Sequence, residues 1–203
     1  DSPIVAQADD DMVKSLVKRI IGLSHSDIAG DGVSISINSG VNSAIVSAGK
    51  ILGEKKLVDL RSRKMMSVDP LLVKRIVVQK AGRANPVSVV YSGDRRSWNV
   101  ETSESAGVVD EENISRLLKE INPLKAARVV ALKASAAELS EYGLEAPYFT
   151  VAVDQTAEGV VRKNILIGSK TSGGRFATIG AADAIFVISD ETVENLTARL
   201  IAD

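Results

Sequence analysis

Lys170, Thr171 and Ser172, set among Gly168, Gly173 and Gly174 in the stretch IGSKTSGGRF (167–176), have the residue types of a phosphate cradle. A phosphate loop needs the order G-x-x-x-x-G-K-[ST] running straight into a helix, because the helix N-terminus supplies converging N–H donors and the lysine supplies charge. Gly168 and Gly173 keep that glycine spacing, but Gly174 and Arg175 follow where Lys and Ser/Thr are required. The next residues, RFATIG (175–180), alternate as a strand does. The glycines are therefore expected to provide positive-φ positions in a hairpin turn.

Other reactive arrangements are equally incomplete. His25, the single histidine, follows a helix end between Ser24 and Ser26, with Asp27 close by. Without cysteine or a second histidine it builds no ordinary transition-metal site. Serine is plentiful, yet no G-x-S-x-G elbow presents a nucleophile. Paired acids at 9–11 and at Glu111 and Glu112 stand at helix starts, where the helix dipole accounts for them. DIAGDG (27–32) departs from the calcium-loop pattern and has no closing glutamate. No metal or other cofactor is expected, and the chain reads as a non-enzyme.

What remains is charge. The basic stretch RSRK, with Arg61, Arg63 and Lys64, and the turn DRR, with Arg95 and Arg96, are the candidate contacts for an acidic partner or anionic lipid headgroups. Residues 1–100 carry 15 basic and 10 acidic side chains, whereas 101–203 carry 10 and 16. Opposite-sign halves of this kind can orient a partner. The net charge of −1 argues against nucleic acid, which demands a basic surplus. Aromatics at 3 % leave little for a base- or sugar-stacking platform.

The core must come from Val, Ile, Leu and Ala, which are abundant in a chain that is 45 % hydrophobic. Zero cysteines exclude a disulfide framework and thiol catalysis. No apolar run is long enough to span a membrane. Because the sequence begins at Asp1 and not at Met, removal of a leader or anchor is expected.

The elements that would carry these residues are mostly strands. RIVVQ (75–79), PVSVVY (86–91) and SWNVE (97–101), separated by turn-rich KAGRAN and SGDRR, predict a three-stranded antiparallel meander. A helix over 110–121 follows, then a strand at ARVVALK (127–133) and a short helix at SAAELSEYG (135–143). YFTVAVD (148–154), VVRKNILIG (160–168), RFATIG and AIFVIS (184–189) predict four more strands joined at QTAEG, SKTSGG and AAD. Asp69 and Pro70 signal a brief helix start, and Asp190 is expected to cap a last helix with Val193, Leu196 and Leu200 on one face.

An internal likeness organises the rest. DDDMVKSLVKRIIGLSHSDI (9–28) and DEENISRLLKEINPLKAARV (110–129) align at a constant offset, Val13 with Ile114, Leu16 with Leu117, Lys18 with Lys119 and Ile20 with Ile121. The apolar positions recur at helical spacing in both, and Gly22 and Pro123 stop the helices at matching positions. The stretches 55–76 and 182–201 correspond more loosely. The expected fold is α+β, with largely antiparallel sheets, helices packed on one side and two tandem related units, the first shorter. Residues 1–70 would form a partial first repeat of a helix plus short strands, and residues 71–203 a complete second one.

SEYGLEAPYFTVAV, NILIGSKTSGGRFATIG and AIFVISDETVENL resemble the bacterial family catalogued as domain of unknown function 4340, whose members show a Tyr-Gly-Leu-acid-x-Pro junction, an Ile-Gly loop with a glycine hairpin, and a closing strand and helix. LVDLRSRKMMSVDPLLVKRIVV and SWNVE are similar to the entry into its first strand and its tryptophan strand, so the resemblance covers about 55–203. It implies an N-terminal membrane anchor outside this chain, with the repeats in the periplasm or at the cell surface, and a link to ABC-transporter auxiliary proteins of the gliding-motility type. It supplies no catalytic residues. The expected function is a non-enzymatic accessory or scaffold of an envelope transport complex, docking an envelope or transporter protein. The alternative is a ligand-binding module with a groove between the repeats.

Overall fold

The computed structural model describes residues 11, 15, 58, 61–101, 107–156, 159–180 and 184–202, together with the backbone of 34–39 and 42–47. The chain divides into two compact units, Val5–Ser62 in one and Arg63–Asp203 with Asp1–Ile4 in the other. In the first, β1 (Ser34–Ser39) and β2 (Asn42–Ser47) form an antiparallel hairpin. His25, the DIAGDG stretch and all but Asp11 and Ser15 of the first-copy helix lie outside the described residues.

The second unit opens with β3 (Lys64–Met66), a single 3-10 turn at Pro70–Leu72 and β4 (Val73–Lys80). Asp69 caps that turn by accepting a hydrogen bond from the Leu71 N–H at 3.0 Å. Pro70, whose fixed φ suits a first helical position, follows it. β5 (Val87–Ser92) and β6 (Ser97–Val100) complete the expected meander. Then come α1 (Glu111–Glu120), β7 (Leu124–Lys125), β8 (Arg128–Ala131) and α2 (Ala136–Glu141). The chain continues through β9 (Phe149–Thr156), β10 (Val160–Thr171), β11 (Gly174–Ile179), β12 (Ile185–Ser189) and α3 (Asp190–Thr197).

Eight strands join in one antiparallel sheet of order β6-β5-β4-β9-β10-β11-β12-β8. The two meanders meet where β4 pairs with β9, Ile76 opposite Val153 and Val78 opposite Val151. Alternate residues of these strands, Ile76, Val89, Val151, Val153, Ile165 and Ile167, are fully buried and share one core with α1 and α3. From α1 that core takes Ile114 and Leu117, three apart and so on one face, and from α3 it takes Leu196. Each such side chain contributes about 1.5–3 kcal/mol by leaving water. Asp110 caps α1 through the Asn113 N–H at 3.0 Å, with Glu111 and Glu112 in the first turn.

One expectation needs amendment. Ser189, not Asp190, caps α3: its backbone is extended and its Oγ accepts the Thr192 N–H at 3.1 Å, while Asp190 is already helical and places its charge at the positive end of the dipole. The described residues give no clear evidence of two tandem related units, most of the first copy lying outside them. Within the stretch 55–76, likened to 182–201, residues 64–76 form a three-residue strand, one 3-10 turn and the start of β4, where the later stretch forms a five-residue strand and an eight-residue helix. The α+β class and the antiparallel sheet with helices on one face stand.

Candidate functional site

The glycine-rich stretch is a hairpin. β10 ends at Thr171, Ser172 and Gly173 make the turn, and β11 begins at Gly174 opposite Thr171. Gly173 has φ of 77°, the left-handed value such a turn demands. No helix follows, so no N-terminus faces the loop, and the phosphate-cradle arrangement is not formed.

The five basic candidates fall on separate elements. Arg63 precedes β3, and Lys64 within it stands opposite Lys125 of β7. Arg95 and Arg96 occupy the β5–β6 turn, where Arg96 has φ of 52° and the Arg95 N–H reaches Ser92 Oγ at 3.4 Å. β3 contacts β11, four strand positions from β5 in the sheet order, which at a spacing of about 4.8 Å puts the two groups on the order of 19 Å apart. Arg61 belongs to the other compact unit.

A different set of charges crosses the sheet on strand positions that alternate with the core. Arg162 on β10 grips Asp154 on β9, Nε to Oδ1 at 2.6 Å and Nη2 to Oδ2 at 2.7 Å. Arg75, opposite Asp154 in the β4–β9 register, donates instead to Ser88 Oγ at 3.1 Å and to Glu101 at 2.7 Å. The Arg162 hydrogen bonds hold the Asp154 carboxyl below its ordinary value, with Arg75 adding a field of the same sign and partial burial opposing both. The same bonds raise the Arg162 guanidinium. Each charge in this ladder is matched, so it stitches strands together and offers no reactive group.

A cleft of about 420 Å³ opens at the Lys80 end of β4. Its floor is apolar: Val78, Val87, Phe149 and Leu200. One wall is the β4–β5 turn. Gly82 with φ of 79° lets it reverse, and Gln79 Nε2 holds it by donating to the Arg83 carbonyl at 2.8 Å. That turn carries Lys80 and Arg83 to the rim. The opposite wall is the extended segment after α3. It is fixed by a bridge between Val109 and Ile201, by Asp110 N–H to the Leu200 carbonyl at 2.9 Å and by Asn113 Nδ2 to the Arg199 carbonyl at 2.9 Å. No aspartate or glutamate lines the cleft among the described residues. Lys80 Nζ stands 5.7 Å from the centre of the Tyr148 ring, and Arg175 Cζ stands 3.9 Å from the same centre.

In sequence KAGRAN (80–85) has the marks of a turn alone, because nothing local to it signals a cleft. The walls are separated by more than a hundred residues, and they meet only because β4 pairs with β9 and the chain end pairs with 108–110. Among the described residues no three His, Cys, Asp or Glu side chains gather as for a metal ion. No described helix is long and apolar enough to cross a membrane.

Fold and cleft together define an α+β domain built on a broad antiparallel sheet with helices on one face. Residues 98–202, just over half of the chain, match the family described as Domain of unknown function (DUF4340), and the chain belongs to that family. The match starts at Trp98 on β6, so the likeness seen in residues 55–97 falls outside it. No curated protein and no solved structure matches the chain.

Proposed function

We propose that this chain is a non-enzymatic accessory or scaffold domain of a membrane-anchored envelope protein. In this reading it lies in the periplasm or at the cell surface and docks an envelope or ABC-transporter protein. The tether is a segment outside this chain, and residues 1–70 are a shortened copy of the unit completed by 71–203. Family membership supports the reading, and the uses made of polar side chains agree with it: Asp110, Ser135 and Ser189 cap helices, and Asp154, Arg162, Arg75 and Glu101 tie strands.

The observation that carries the docking mechanism is a set of apolar side chains left in water at one end of the sheet. Leu71 is 85 % exposed, Val160 72 % and Val161 51 %. Their segments meet at the end of β9. Gln155 Nε2 donates to the Asp69 carbonyl and Thr156 Oγ1 to the Leu72 carbonyl, both at 3.4 Å, while Val160 and Val161 pair with Thr156 and Gln155. Isolated exposed hydrophobics are ordinary, but Leu71 on its capped turn, with Val160 and Val161 on the two faces of the adjoining strand end, would give a protein partner several apolar contacts at one edge of the fold. Arg61, Arg63, Lys64, Arg95 and Arg96 would orient that partner through charge.

A photo-crosslinking residue placed at Leu71 of the full-length protein in intact cells tests this. It should trap an envelope or transporter protein, whereas the same residue at exposed Glu141 should not. Equal trapping at both positions, or trapping of cytoplasmic proteins alone, would refute the proposal. The alternative of a ligand-binding module draws on the cleft, which lies wholly within residues 78–202.

A further inference from the structure

The cleft does not depend on the docking reading, since Leu71 stands beside the Val73 end of β4 and the cleft at its Lys80 end. β4 is eight residues long, so the two regions are on the order of 23 Å apart at about 3.3 Å per residue.

Three properties of the cleft narrow what could occupy it. Its volume of about 420 Å³ falls within the range of sites for one small molecule. Val78, Phe149 and Leu200 are 8 %, 5 % and 2 % exposed and close the base of the cleft, so the apolar surface open to a ligand is that of the half-buried Val87 and Ile201. Lys80 and Arg83 stand on one tight turn, the Arg83 N–H bonding the Lys80 carbonyl at 3.1 Å, and neither side chain has a carboxylate partner among the described residues. The rim therefore carries two positive charges and, among the described residues, no acid. Elsewhere in the unit, by contrast, Arg75, Arg116 and Arg162 each meet an acid.

We propose that this cleft binds a small amphiphilic anion, its apolar chain lying against Val87 and Ile201 over the closed base and its carboxylate or phosphate head held by Lys80 and Arg83. A neutral amphiphile would gain the floor but not the rim, and inorganic phosphate the rim but not the floor, so neither alone should bind well.

Titrations of the isotope-labelled full chain with decanoate, decyl phosphate, decanol and inorganic phosphate, followed by amide NMR, test this directly. Decanoate or decyl phosphate should shift amides of 78–87, Phe149 and 198–202 saturably, and the stronger of the two identifies the head. Decanol and inorganic phosphate should each bind at least about tenfold more weakly, since a charge-assisted hydrogen bond or an apolar contact is lost. Lys80→Ala with Arg83→Ala should weaken the anion by about tenfold or more while leaving the remaining amide positions unchanged, because both side chains are exposed. Arg83→Glu alone should weaken it further still by repulsion. Absence of saturable binding by either anion, equal affinity for decanol, or binding indifferent to these variants would overturn the assignment.

Discussion

Asp154 and Arg162 stand opposite each other in the β9–β10 register and close a two-point ion pair, with the aspartate side chain 11 % exposed and the arginine 49 %. Because the carboxyl is held below its unfolded value, its contribution to stability is complete above about pH 3.9 and is lost as the pH falls through the folded value. Asp154→Asn should cost about 1 kcal/mol at neutral pH, less than the roughly 1.5–3 kcal/mol typical of a hydrogen bond to a charged group, because the arginine side chain is 49 % exposed and water screens the pair. Urea unfolding across the acid range should show wild-type stability converging on that of the variant as the pH drops. Curves that stay parallel would mean the pair contributes no pH dependence.

Two leucines separate packing from display. Leu117 of α1 is fully buried among β-sheet side chains, whereas Leu71 is 85 % exposed. Leu117→Ala should lower unfolding free energy by about 2–5 kcal/mol, the transfer loss plus a residual cavity. Leu71→Ala should stay within about 0.5 kcal/mol of the parent in the same urea titration. A large loss at Leu71 would make it a structural residue and remove the main support for its role in docking.

The hairpin predicts a sharp contrast between neighbouring glycines. A side chain at Gly173 would meet open space and suffer only from its φ of 77°, so Gly173→Asn, a residue tolerant of that region, should cost about 1 kcal/mol or less. A Cβ at Gly174 would collide with the backbone carbonyl of Ile188 on β12, which cannot move without breaking the sheet. Gly174→Ala should therefore destabilise by at least about 1–3 kcal/mol. Thermal unfolding of the two variants distinguishes them, and equal midpoints would refute the close approach.

The sequence made local features legible because local physics determines them. Alternation gave β4, β5, β9, β10, β11 and β12 their extents to within a few residues, and Asp110, Pro70 and Gly143 marked real boundaries of α1, the 3-10 turn and α2. Partnership was not legible. The period of two in RIVVQ says which face is buried, not that β4 adds to β9 and fuses two meanders into one sheet. Nor does ARVVALK announce that β8 crosses to the far edge beside β12. The α3 cap is ambiguous in sequence because Ser189 and Asp190 are both good capping residues, and only the backbone angles choose between them. The cleft escaped notice for the same reason as the sheet order: its walls are distant in sequence.

Glu120, at the last turn of α1, joins two helices far apart in sequence. Its Oε1 accepts from Thr192 Oγ1 at 2.7 Å and its Oε2 from Asn195 Nδ2 at 2.9 Å, so one carboxylate ties α1 to α3. Thr192 is itself only 8 % exposed and shares its hydroxyl with the Ser189 cap at 3.1 Å. Removing the carboxylate leaves that hydroxyl and the Asn195 amide without their acceptor, a loss of about 1–3 kcal/mol. Glu120→Ala should accordingly speed amide exchange in α3 well before it affects β9 and β10, whose buried ladder opens only with the whole domain. Glu120→Gln, which retains one acceptor, should recover part of the protection. Uniform acceleration across sheet and helix would show that α3 has no separate opening and that Glu120 acts only on global stability.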